Sequence, residues 1–223
     1  MTTEPTTVPE QSVLTSPAKA WQEMRRGNER FVTGTPRHPR QDVDRRNELG
    51  STQTPHAALF GCSDSRLAAE IIFDKGLGDL FVIRNAGQVI SSSVLGSLEY
   101  AVGVLNVPLI VVLGHDECGA VRAAIESQAA DAPALPVHID RIIQKIVPAV
   151  RRVTGATDAT PIDPEAVDAT LVGRVHLRDT ITEMLERSEM ISSAVAEGTL
   201  AIVGANYRLF EGRAEADTVV GIV

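Results

Sequence analysis

Three short apolar runs constrain this chain more than any other feature: AALFG (57–61), DLFVIR (79–84) and LIVVLG (109–114). Each is too short for a buried helix and lacks the polar alternation of a one-sided strand, so each reads as a strand covered on both faces. Their continuations differ. The first leads through CSDSR into LAAEIIFDKG, a predicted helix ended by Gly76; the second into NAGQVISSSVLGSLEYAVGVLN; the third into HDECGAVRAAIES. Strands alternating with helices demand parallel pairing and right-handed crossovers. The expected fold is α/β, a mostly parallel central β-sheet flanked by helices.

The flanks extend this frame. In PAKAWQEMRRGNERFV, Ala20, Trp21, Met24, Phe31 and Val32 fall near helical spacing, with Ser16 as cap before Pro17 and a break at Gly34. A polar connector, TPRHPRQDVDRRNELGSTQTP, separates that helix from the first strand. Beyond residue 128, Ile139, Ile142, Ile143, Ile146 and Val150 mark an amphipathic helix that Pro148 kinks or ends. A helix from about Leu171 to Glu197 then leads to a fourth strand at Leu200, Ile202 and Val203, and FEGRA reads as a hairpin turn. The opening MTTEPTTVPEQSVLTSP has too little apolar surface to offset the entropy of ordering. Residues 1–16 are therefore expected to be a disordered tail, and 17–223 a single domain, which suits a chain of 223 residues that is 43% hydrophobic.

Charge narrows the partners. Lys and Arg total 21 against 29 Asp and Glu, a balance of −8 that provides no field for nucleic acid or an anionic membrane. No apolar run approaches the roughly 20 residues of a membrane span, and the opening has neither the basic start nor the hydrophobic segment of an export signal. The expected location is the cytoplasm, where two cysteines serve metal or catalysis rather than a disulfide.

Both cysteines lie just past the carboxyl end of a strand: Cys62 follows AALFG, and Cys118 is three residues beyond His115, which follows LIVVLG. In open parallel sheets the crevice beyond those ends is where ligands bind. Two thiolates and an imidazole suit a tetrahedral zinc ion. Asp64, two residues after Cys62, supplies a fourth ligand, or else Arg66 draws it away. Zn²⁺ with two thiolates and a neutral imidazole sums to zero charge, so water there is acidified less than at a three-histidine site, and an Asp64 held by Arg66 is suited to orient it. Singly, each feature has a blander reading: a cysteine as apolar filler, a hydrogen-bonded loop histidine, a surface ion pair. Together they point to a metal. His38, His56, His138 and His176 lack such company, and neither a phosphate cradle nor a dinucleotide fingerprint is present.

GCSDSR, then GDLFVIRNAG, then SLEYAVGVLNVPLIVVLGHDECGAV closely resembles the β-class carbonic anhydrases, and AWQEMRRGNERFV is similar to their amino-terminal helix. The likeness is dense from about Ala20 to Ala124 and thinner to roughly Tyr207. It implies one Zn²⁺ per subunit on Cys62, His115 and Cys118, with Asp64 and Arg66 as the catalytic pair. It implies the reversible hydration of carbon dioxide to bicarbonate and a proton by zinc-bound hydroxide, a lyase activity. Gln53 matches a glutamine that reaches substrate from across a subunit interface, and Phe81 and Ala86 match positions lining the carbon dioxide pocket; the Gly119 N–H is suited as a further anchor for the bicarbonate product. The resemblance also implies a homodimer or homotetramer, with the first helix docking on a neighbouring subunit through Trp21 and Phe31. In some members a closed form puts the aspartate on zinc as fourth ligand at lower pH.

Two other functions fit the same residues: a zinc hydrolase of a related linear molecule such as carbon disulfide, and a non-catalytic protein whose closed four-ligand site, Asp64 included, staples subunits together.

Overall fold

The computed structural model describes residues 16–157 and 160–223; all of the expected tail but Ser16 lies outside them. The chain opens with helix α1 (Pro17–Val32), where the Ser16 hydroxyl accepts from the Lys19 N–H and Gly34 turns the chain at φ +67°. The polar connector contains a short helix α2 (Val43–Glu48) capped by Asp42. Strand β1 (Ala57–Cys62) then runs fully buried.

The helix predicted through Gly76 is a single turn, α3 (Ala69–Ile72). It stops early because Asp74 adopts φ +46° and its carboxylate accepts from Arg30 Nε at 2.5 Å and from the Arg37 and His38 N–H groups. Gly76 instead makes room for the connector: a side chain there would sit 2.1 Å from the Pro39 carbonyl, so its absence lets the connector lie against this turn.

Strand β2 (Leu80–Asn85), helix α4 (Ser92–Gly103), strand β3 (Leu109–His115) and helix α5 (Gly119–Glu126) follow in the expected order. The next helix is broken into α6 (Val137–Ile143) and α7 (Val147–Thr154), with Pro148 in the first turn of α7, where its missing N–H costs no helical bond. The long helix is likewise two, α8 (Ala169–Arg187) and α9 (Glu189–Ala196). Ser188 separates them: its hydroxyl caps α9 through the Ile191 N–H and donates to Glu99. Strand β4 (Ala201–Arg208) and strand β5 (Arg213–Val220) close the chain as a hairpin, with Gly212 at φ +68° in the turn.

The sheet order is β2-β1-β3-β4-β5, parallel except for β5. Leaving β1, the chain first builds β2 on one side and then β3 on the other, so β1 and β3 flank a switch point, where the flanking loops part and leave a crevice. Alternation along the strands divides the core into two layers. Leu59, Val111 and Val203 face α1, α3, α5 and α7, whereas Phe60, Ile110, Val112 and Ile202 face α4, α8 and α9. Trp21 belongs to the first layer at 7% exposure, and Phe31 packs on the same layer. The expectation that Trp21 docks on a neighbour is therefore corrected. It is part of its own chain's core, on the face of α1 that also buries Ala20 and Met24.

Candidate metal centre

The switch point brings the expected ligands together. Cys62 ends β1, His115 ends the adjacent β3, and Cys118 caps α5, one short turn later. One donor atom from each lies within 4.8 Å of the other two, and all three residues are buried. Their detailed surroundings fit zinc. His115 Nδ1 is 2.7 Å from the Asp116 carbonyl, which only accepts, so the ring proton sits on Nδ1 and Nε2 keeps its lone pair. That Nε2 is buried with no hydrogen-bond partner among the described residues and lies with the two cysteine sulfurs, which suits a ligand atom.

The sulfurs are prepared for the same role. The Gly87 N–H donates to Cys62 Sγ at 3.4 Å. Hydrogen bonding to Cys118 foremost, with a further contribution from the Gly87 N–H, holds the Cys62 thiol well below the ordinary range against the opposing effect of burial. The Cys62 contact and burial push the Cys118 thiol up, opposed by the N–H groups of Val121 and Ala120 in the first turn of α5. Binding of a divalent cation favours the thiolate form of both sulfurs.

Asp64 is not among the three ligands. Its Oδ1 accepts from the backbone N–H and Nε of Arg66, both at 2.9 Å, and its Oδ2 from Arg66 Nη2 at 2.7 Å. This bidentate fork, aided by the Arg66 N–H, holds the carboxyl far below the usual carboxylate range. Arg66 Nη2 also donates to the Glu117 carbonyl at 3.2 Å, tying the Asp64 loop to the His115–Cys118 loop. Of the two sequence alternatives, Arg66 drawing Asp64 away is the one observed.

Several residues that sequence reasoning passed over complete the frame. Arg84, at the end of β2, donates through Nε to the Cys62 carbonyl at 2.9 Å and through Nη2 to the Asp64 carbonyl at 2.6 Å. The Asp116 carboxylate accepts from the Leu209 N–H at 2.9 Å, fixing the His115 loop to the end of β4. Glu117 holds φ +50°, the turn that aims Cys118 back toward His115. The adjacency of Asp116 and Glu117 to His115 is their only sequence signal.

The expected substrate residues divide. Ala86 is exposed beside Gly87, and Gly119 opens α5 with open space above its Cα. Gln53 and Phe81 are not brought to their own chain's metal group. Gln53 precedes β1, whose six residues alone separate its two ends by about 17 Å at 3.3 Å per residue. It lines a recess with Tyr100 and Leu105. Phe81, level with Ala58 in the sheet, packs on the second layer with its ring 6.0 Å from that of Tyr100. Gln53, Phe81 and Tyr100 therefore gather at the opposite end of the sheet.

Similarity to known proteins agrees with this geometry. A family model described as carbonic anhydrase matches residues 57–214. Carbonic anhydrase 2 of Mycobacterium tuberculosis is 50% identical over 201 residues, covering 90% of this chain and 92% of its own. The carbonic anhydrase of Mycolicibacterium smegmatis is 44% identical over 209 residues, covering 92% and 96%. Among solved structures, a tetrameric β-carbonic anhydrase of the ascomycete Sordaria macrospora matches with a TM-score of 0.67 at 26% identity, over 79% of this chain and 87% of that one. The sheet order, the buried Cys62–His115–Cys118 group and these relatives lead to one conclusion: the chain belongs to the β-class carbonic anhydrases.

Proposed function

We infer that the Cys62–His115–Cys118 centre carries the family's reaction, reversible hydration of carbon dioxide to bicarbonate and a proton, with Asp64 and Arg66 as its catalytic pair. The single observation that carries this reading is the buried, unpartnered His115 Nε2 facing two cysteine sulfurs. Zinc, when bound, supplies Lewis-acid activation of water for attack on carbon dioxide. The chain's own residues do the rest. Asp64, kept ionised by Arg66, accepts a hydrogen bond from the attacking water and turns its lone pair toward the substrate carbon. Arg66, bonded to Asp64 and to the Glu117 carbonyl, keeps that carboxylate from swinging toward the ligands. The Gly119 N–H, in the first turn of α5, is suited to hold an anionic product oxygen.

We further propose a homo-oligomer in which Gln53, Phe81 and Tyr100 line the carbon dioxide pocket of a neighbouring subunit. Support comes from their grouping away from their own ligands, from the 45% exposure of Tyr100, and from the tetrameric Sordaria relative. Docking of α1 on that neighbour would use its exposed face, since Trp21 is buried. A reducing cytoplasm suits a chain whose two cysteines are both free and both in the ligand group. Among the described residues no helix is long and apolar enough to cross a membrane.

Stopped-flow hydration assays test the reaction itself. The wild-type protein is expected to hydrate carbon dioxide, and Cys62→Ala, His115→Ala and Cys118→Ala to lose both zinc and activity. Full activity in any of the three overturns the reading.

A further inference from the structure

Helix α8 grips the loop behind the metal centre through His176, 89 residues from the group it touches. His176 Nε2 is 2.7 Å from the Gly87 carbonyl, and Gly87 N–H is the donor to Cys62 Sγ. Since a carbonyl only accepts, the ring carries a proton on Nε2 and donates it. Its Nδ1 is buried without a partner among the described residues, so a second proton there would be a charge with no acceptor. Burial, which disfavours the imidazolium, agrees with this.

Gly87 is the part that needs holding. At φ +73°, ψ 15° it has no side chain to restrict rotation, and its N–H and C=O belong to two different peptide planes. A Cβ would lie 2.9 Å from both Ala120 Cβ and Ile146 Cδ1, so no other residue fits as built. The loop around it is clamped from several sides. Asn85 brackets it by bonding both the N–H and the carbonyl of Val89, at 2.9 and 2.8 Å. Thr180, one turn along α8, donates to the His176 carbonyl at 2.9 Å and brings its hydroxyl within 3.4 Å of the Gln88 carbonyl. The His176 bond is the clamp that acts on Gly87 itself.

We propose that His176 is a positioning residue for the metal centre: by fixing the Gly87 carbonyl it holds the Gly87 N–H on the Cys62 thiolate, tuning the sulfur's donor strength and its aim. The proposal rests on the zinc reading above. An N–H bond to a metal thiolate withdraws electron density from sulfur, and outer partners of ligands are commonly worth about 10–100-fold in metal affinity. A histidine that merely fills the core would affect folding alone.

The test compares His176→Gln, whose Nε2 reaches the same point as the imidazole Nε2, with His176→Phe, which keeps bulk and loses the donor. Each is purified as the full chain, loaded with Co²⁺ for its thiolate-to-metal absorption band, and titrated with Zn²⁺ against a chelator. The expected result is a band at longer wavelength and about tenfold weaker zinc binding in His176→Phe, with wild-type values in His176→Gln. Should His176→Phe fail to fold, His176→Asn, whose amide stops short of the Gly87 carbonyl, replaces it. Wild-type band and affinity in the variant lacking the donor, whatever its melting temperature, overturn the proposal. So does a His176→Gln protein that matches His176→Phe. A wild-type protein with no thiolate band refutes the zinc reading first, and the positioning role with it.

Discussion

Arg84 holds Asp64 by its backbone rather than by its charge: the guanidinium donates to the Asp64 carbonyl at 2.6 Å and to the Cys62 carbonyl at 2.9 Å. The loop carrying Cys62 and Asp64 is thereby fixed from β2, while Arg66 fixes the Asp64 side chain from within the loop. One arginine sets where the loop is, the other where the carboxylate points.

Replacing Arg84 by alanine should therefore free the Cys62–Asp64 loop with little effect on the core, because the residue is exposed. Zinc affinity should fall about tenfold and kcat/KM by a similar factor, within the range for outer partners of metal ligands. Chelator competition together with hydration kinetics measures both. Unchanged zinc affinity would show that the loop holds itself.

For Arg66→Ala the expectation differs. Asp64 loses its guanidinium fork, the largest cause of its depressed pKa, and keeps only the backbone N–H of residue 66, a single bond that leaves the carboxylate freer to reach the fourth position on the metal. Activity near neutral pH should drop about 100-fold, with partial recovery in alkali as hydroxide competes with the carboxylate, while zinc stays bound. Arg66→Lys, which has no planar fork, should rescue little. A pH–rate profile of the Arg66→Ala protein parallel to wild type, merely lower, would count against this.

Metal removal should destabilise the fold through its most buried crossing. Free zinc at about 1,000 times its Kd contributes about 4 kcal/mol, or about 8–16 °C of melting temperature for a domain of this size. Calorimetry of holo and chelated protein reads this directly, and equal melting temperatures would mean that β1 and β3 are held without the ion.

Two buried histidines give stability a pH slope. His56 and His176 both have pKa values lowered by burial, offset in part by Asp79 near the first and by Asp179 and Glu183 near the second. Folded, they bind fewer protons than they do unfolded at a pKa of about 6.5. Stability should thus rise with pH up to about 6.5 and level off above it, each histidine contributing at most about 1.4 kcal/mol per pH unit. Urea unfolding from pH 5 to 8 at saturating zinc should show a shallower slope for His176→Gln than for wild type. Identical slopes would mean that His176 titrates alike in both states.

How much the sequence discloses depends on range. The runs containing Leu59 and Val111 are apolar on both faces, so strands and their parallel pairing follow from local pattern, and the three ligands follow because each directly ends a strand or opens a helix. Helix ends set by distant partners are not legible there: Asp74 stops α3 through Arg30, 44 residues away, and Ser188 breaks the long helix through Glu99. Nor are Arg84 and His176. Arg84 meets the Cys62 loop because β2 pairs Gly61 with Arg84, a register that exists only once the sheet has formed, and His176 has its role because α8 crosses behind that loop. Trp21 reads as free for a partner because an amphipathic helix does not say which layer it covers.

The grouping of Gln53, Phe81 and Tyr100 away from their own ligands gives the last expectation. If these residues serve a neighbour, Gln53→Ala should lower activity without touching the zinc of its own chain, and Cys62→Ala should abolish it by removing zinc. Combined in one dimer, the two lesions are complementary: the Gln53→Ala chain has an intact metal centre, and the Cys62→Ala chain supplies the missing glutamine. Random mixing makes half the dimers mixed, each with one complete site, so total activity should recover to about a quarter of wild type under two-fold symmetry. Co-expression with two affinity tags isolates the mixed species for hydration assays. If the mixed dimers are no more active than the average of their parents, Gln53 acts within its own subunit or not at all.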